Sequence, residues 1–224
     1  MSFDFSVVFF GQNINFLLYG LLSTIFFSVT GFILSLLIGT VIAFGQLSKN
    51  KVYHGFALAY LSWFRATPLL VQLFLLYYGL PLLLKIDTVA WISGVVALGM
   101  YSGSYASQII RGAIQSIDKG QMEAGRSLGF SHAQTMVKII IPQAFLRMLA
   151  PMTNEFISLT KNSSLLSTIT VAELFRQANI LIADTYRTME FLLAIAVLYY
   201  ILNNLIGYMG MLLEKRFRTG GELQ

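Results

Sequence analysis

From Ile14 to Leu47 the chain carries no charged residue, which is far enough to cross the roughly 30 Å hydrocarbon core of a bilayer as a helix. Four further apolar runs follow, at about Ala66 to Leu84, Thr88 to Ile110, Met148 to Ser167 and Phe191 to Leu213. They are continuous rather than alternating, so they fit membrane helices and not the strands of a barrel. The composition agrees, with 56% hydrophobic and 11% charged residues where a soluble chain has about a quarter charged. The expectation is an all-α integral membrane protein with five transmembrane helices, one domain spanning 1–224. MSFDFSVVFF lacks a basic n-region and the apolar run after it is too long for a cleaved signal, so the first span reads as retained. There is no cysteine, which excludes a disulfide framework, a thiolate metal site and a thiol nucleophile.

Lys and Arg fix the expected orientation. Lys49 and Lys51 follow the first span, Arg111, Lys119, Arg126, Lys138 and Arg147 lie between the third and fourth, and Lys215, Arg216 and Arg218 follow the fifth. The opposite loops carry Lys85, and Arg176 and Arg187 mixed with Glu173, Asp184 and Glu190. The positive-inside rule then places the N-terminus outside and the C-terminus in the cytoplasm of a bacterial-type cell membrane. The net charge of +5 is accounted for by topology, and no nucleic-acid partner is needed to explain it. Gly31, Ser35, Gly39 and Ala43 form a small-residue stripe, and Gly99 and Gly103 a GxxxG, both suited to close helix packing within a subunit or between two copies. Phe3, Phe5, Phe9 and Phe10 read as an interfacial anchor.

One polar segment interrupts the oil. Asp118 to Leu128 suits a helix, Gly129 stands where its end needs a left-handed residue, and Ser131 with Gln134 makes a capping box for a second helix running from His132 to Ile141 before Pro142. Such a capped hairpin is too polar for lipid. On physical grounds it could either cover the floor of the bundle or dock a partner.

Glu123-Ala124-Gly125, three residues, Gly129, nine residues and Ile139-Ile140-Ile141-Pro142 resemble the EAA motif of the membrane subunits of ATP-binding cassette importers. Gly125 replaces the second alanine and Ile141 the leucine of that pattern, with the spacing kept. Arg65-Ala66-Thr67-Pro68-Leu69, Gly112-Ala113-Ile114, Lys161-Asn162-Ser163-Ser164-Leu165 and Val171-Ala172-Glu173-Leu174 resemble the polar amino acid uptake branch, although Ala66 stands where the branch commonly has glycine. The resemblance implies a type I importer permease of five spans, paired in the membrane with a second copy or a related subunit. It also implies that Glu123, Ala124, Gly125, Arg126 and Gly129 form a coupling helix seated on a cytoplasmic ATPase, and that an external solute-binding protein delivers the substrate. No G-x-x-x-x-G-K-[ST] is present, so ATP belongs to the partner ATPase and this chain is expected to need no cofactor or metal and to perform no catalysis.

The cargo is read from polar groups at depth, because ionisable groups inside a span are costly and mark function. Counting about 1.5 Å per residue from Arg65, Arg111 and Arg147, Gln72 lies roughly 10 Å in, Ser102 roughly 13 Å and Glu155 roughly 12 Å. Asn154 and Ser158, at i and i+4, share a face with Glu155. A carboxylate there, with no basic neighbour at helical spacing, predicts a counter-ion for arginine, lysine or histidine, with Asn154, Ser158, Gln72 and Ser102 bonding the amino acid's polar ends. The alternatives are a Glu155 paired within the protein, an importer of glutamine or another polar amino acid, and a secondary transporter or channel. An intramembrane hydrolase is disfavoured, since no histidine lies within a span to activate Ser102 or Ser104.

Overall fold

The computed structural model describes residues 4–219, all in helices and their connections with no strand among them. A short α1 (Ser6–Phe9) precedes α2 (Asn13–Leu47), which at 35 residues is longer than a bilayer core requires. Phe5, Phe9 and Phe10 are exposed there, as an interfacial anchor requires, while Phe3 lies outside the described residues. Lys51–Ala66, outside the five expected spans, forms α3, capped by Asn50, whose side chain accepts from the Val52 N–H at 2.9 Å. Pro68 ends it. Thr67 is extended, as the residue before a proline prefers, and the chain turns by 107° into α4 (Leu69–Leu84).

Two helices absorb prolines by widening. α4 contains a π turn at Leu75–Gly79 just before Pro81, and the Tyr77 carbonyl that Pro81 cannot serve accepts from Thr88 Oγ1 at 3.1 Å. α5 (Ala90–Gln115) follows, and α6 (Lys119–Ser127) begins at Asp118, which caps the Gly120 N–H at 2.7 Å. α7 (His132–Ile169) has its π turn at Met136–Ile140, passes through Pro142 and ends in a 3-10 segment, Ser163–Ile169. Two helix limits differ from the expected runs. The helix that carries the fourth apolar run begins not near Met148 but at His132, and α5 runs on to Gln115, past the expected end at Ile110. α8 (Leu174–Thr185) was not among the expected elements, and α9 (Thr188–Thr219) closes the chain.

α2, α7 and α9 are each long and apolar enough to cross a membrane, and α3 with α4 makes a bent fourth candidate. α5 is the fifth long helix and less apolar, because it is sandwiched in the bundle and buries Ser93, Ser102, Ser104 and Ser107. The two small-residue stripes meet each other within one subunit. A Cβ on Gly39 would stand 2.9 Å from Ala106 Cβ and 3.1 Å from the Ser107 nitrogen, and Gly31, Gly99 and Gly103 receive Leu98, Leu34 and Ile38. Backbone approach of this kind supplies the dispersion contact that lipid cannot drive by exclusion from water.

Candidate functional site

Two apolar clusters stack along the α5–α7 interface. One contains Leu98 and Leu159, the other Ala106 and Met152. Between them, about one turn away on each helix, sit Ser102 and Glu155. Ser102 is 1% exposed and its Oγ donates to Glu155 Oε1 at 2.5 Å. No Lys, Arg or His lies within ion-pair distance of Glu155 among the described residues. A half-buried carboxylate with a single hydroxyl partner retains most of its capacity to accept hydrogen bonds and to balance a positive charge.

The other residues marked in the sequence fall into different places. Ser158 is half-buried one turn along α7 from Glu155, and Asn154 is exposed on the neighbouring face. Gln72 is buried, but its amide nitrogen is occupied by the bend: Nε2 donates to Thr67 Oγ1 at 2.7 Å and to the Thr67 and Phe64 carbonyls at 3.1 Å. No hydrogen bond joins Gln72 to Glu155 or Ser102. Tyr101 was not singled out by sequence, yet it adjoins Ser102 on α5 and its hydroxyl is 3.2 Å from that of Tyr105. The signal was available in the i, i+4 spacing of two tyrosines on an otherwise small-residue helix.

The hairpin is built as its residues predict. Leu128 and the left-handed Gly129 (φ +86°) end α6 with Phe130 N–H donating to the Gly125 carbonyl at 3.2 Å and Gly129 N–H to the Arg126 carbonyl at 3.0 Å, the paired bonds of a Schellman stop. Ser131 and Gln134 close the capping box in both directions, at 3.2 and 2.8 Å. Gly125 is the buried residue of α6. A Cβ there would be 2.5 Å from Thr135 Cγ2, so the glycine that departs from the EAA pattern is what lets α6 lie against a buried threonine. Glu123, Ala124, Arg126 and Gly129 face outward, and Leu128 (76%) and Val137 (62%) leave apolar side chains exposed beside them. At the other end Glu173 caps α8: its carboxylate accepts from the Phe175 and Arg176 N–H groups at 2.9 and 2.7 Å and from Tyr199 Oη at 3.0 Å. Burial pushes this carboxyl up to about 7 despite those donors. Among the described residues no group of three or more His, Cys, Asp or Glu side chains is placed to hold a metal ion.

A helical bundle with a capped polar hairpin at one end and the Ser102–Glu155 pair between two of its helices fits a membrane permease subunit. Residues 31–219 match the family described as the binding-protein-dependent transport system inner membrane component, and the chain belongs to that family. It is 38% identical over 207 residues to a putative glutamine transport system permease of Rickettsia typhi, covering 92% of this chain and 95% of the relative. It is 35% identical over 219 residues to the arginine transport system permease of Bacillus subtilis, covering 98% and 99%. A crystal structure of an amino acid ABC transporter with histidines superposes with a TM-score of 0.89 at 36% identity, covering 96% of this chain and 100% of that one. The protein is therefore the multi-pass inner-membrane permease of a type I ATP-binding cassette importer for amino acids, and ATP hydrolysis falls to a partner ATPase.

Proposed function

We propose that this permease imports a basic amino acid and that Glu155 is the counter-ion for its side chain. The observation that carries the reading is the absence of any cation beside Glu155 among the described residues, in a place where an unbalanced charge is costly. Ser102 holds one carboxylate oxygen, leaving the other for an ammonium, guanidinium or imidazolium group. Ser158 and Asn154 offer hydroxyl and amide groups to the amino acid's polar ends, and Gln72 offers its buried, unpartnered Oε1. The arginine permease and the amino acid transporter with histidines among the similar proteins support a basic cargo. Glutamine is the second reading, because relatives of comparable identity are glutamine permeases.

The same reading assigns the remaining partners. The chain acts as one permease domain with its N-terminus outside and its C-terminus cytoplasmic, paired with a second copy or a related subunit. The outward face of α6, from Glu123 to Gly129 with Leu128 and Val137, seats on the ATPase, and an external binding protein delivers substrate. Closure of the two ATPase subunits moves the paired α6 helices as rigid bodies and rocks the bundle. Co-purification with the co-expressed ATPase, followed by ATPase stimulation by individual amino acids, tests this. Stimulation by arginine, lysine or histidine is expected, stimulation by glutamine alone supports the second reading, and transport that persists without ATP would support a secondary transporter instead.

A further inference from the structure

A cavity of about 580 Å³ opens between the C-terminal half of α3 and the C-terminal turns of α2 and α5. Two guanidinium groups, Arg65 and Arg111, line it together with Gln46, Gln108, Tyr105 and Ser62. Neither arginine has a carboxylate within ion-pair distance among the described residues. Arg65 lies over the Tyr105 ring, 5.6 Å from its centroid, and Arg111 Nη2 donates to Gln108 Oε1 at 3.1 Å. Gln108 Nε2 in turn donates to Gln46 Oε1 at 2.8 Å, so the amides hold Arg111 in place while its buried Nε has no partner. Two guanidinium groups held by aromatic and amide neighbours beside an open cavity suit an oxyanion.

Tyr101, Tyr105 and Gln108 fall on one stripe of α5; Tyr101 adjoins Ser102, the partner of Glu155, and Tyr105 and Gln108 line the cavity with the two arginines. An α-amino acid carries a carboxylate whatever its side chain. We infer that Arg65 and Arg111 form an inward station that binds the substrate's α-carboxylate after it leaves Glu155. This rests on the import reading and on its assignment of the hairpin end to the cytoplasm. It does not depend on whether the cargo side chain is basic or neutral.

The test uses the purified complex of this chain with its ATPase, without binding protein, in nanodiscs. Binding of the amino acid that stimulates the ATPase is compared with binding of its α-carboxamide. The intact complex is expected to prefer the free acid by about tenfold or more, equivalent to about 1.4 kcal/mol, and R65Q and R111Q to lose most of that preference while still co-eluting with the ATPase. Glu155→Gln should change the choice of side chain and keep the carboxylate preference, which separates failure of this inference from failure of the basic-cargo reading. Phenylglyoxal labelling of the unaltered complex, read by mass spectrometry, needs no variant. Protection of Arg65 and Arg111 by the amino acid and not by its amide supports the station. Unchanged carboxylate preference in both variants overturns it, as does protection that comes from phosphatidylglycerol in the nanodisc and not from the amino acid.

Discussion

Ser102 on α5 donates its hydroxyl hydrogen to Glu155 on α7 across 2.5 Å, and this is the bond that fixes an otherwise unsupported carboxylate between two apolar clusters. Replacing Ser102 with Ala removes the donor and leaves the charge with no protein partner. The expected result is a three- to tenfold weaker apparent affinity for the transported amino acid, on the scale of about 1 kcal/mol for the net worth of one hydrogen bond, with normal assembly. Substrate-stimulated ATPase titrations in proteoliposomes measure it, and an unchanged titration would show that the bond does not orient the site.

The hairpin makes a sharper demand on geometry. Gly129 adopts φ +86°, which a β-branched residue takes up only with strain, whereas asparagine tolerates it. Gly129→Val should assemble poorly with the ATPase or lose most substrate-stimulated hydrolysis, and Gly129→Asn should stay within about twofold of the parent. Full coupling in the valine variant would mean that the turn has no part in transmission.

Gly125 tests the fit of α6 on α7. Gly125→Ala places a methyl against Thr135, and coupling should fall; trimming Thr135 to Ala in the same chain removes the atom that is struck at 2.5 Å and should restore much of the loss. A double-mutant cycle on ATPase stimulation reads the coupling of the two positions. Simple additivity would contradict the contact.

How much of this could be read in advance follows from where each signal is local. The stop at Gly129 and the box at Ser131 and Gln134 depend on neighbours in sequence and form where the residues put them, and each of the five apolar runs falls mostly within a long helix whose limits differ. Lys51–Ala66 was harder, because His54, Arg65 and scattered aromatics give it a mixed face that packs on α2 through Ala57 and Leu61 and has no clean membrane pattern. The start at His132 was legible, but its continuity with the fourth apolar run was masked by Pro142, which ends a regular helix but not one with a π turn in front of it. Gln72 illustrates the limit for the site. A count along one straight helix from Arg65 does not reach it, because the chain turns by 107° between the two, and its amide serves acceptors at that bend.

Glu173 yields a prediction in pH. Burial raises its carboxyl from the ordinary 4.5 to about 7, so the folded chain holds a proton there that the unfolded chain has released. For an acid shifted upward, stability is fully present below about 4.5 and is lost as pH rises through about 7, by at most roughly 3 kcal/mol. Thermal unfolding of the solubilised complex should occur at lower temperature near pH 8 than near pH 5, and Glu173→Gln should flatten that slope. A slope that the variant leaves intact would place its origin elsewhere.

The central claim is that Glu155 answers to positive charge on the cargo. Its most direct measurement is ATP-driven uptake of arginine and of glutamine by proteoliposomes holding the complete importer, with Glu155 and with Glu155→Gln. Arginine uptake should fall at least tenfold in the variant while glutamine uptake, where present, stays within about twofold, since loss of one desolvated charge pair exceeds about 1.4 kcal/mol. Equal loss for both amino acids would contradict a counter-ion and make Glu155 a structural residue of the bundle.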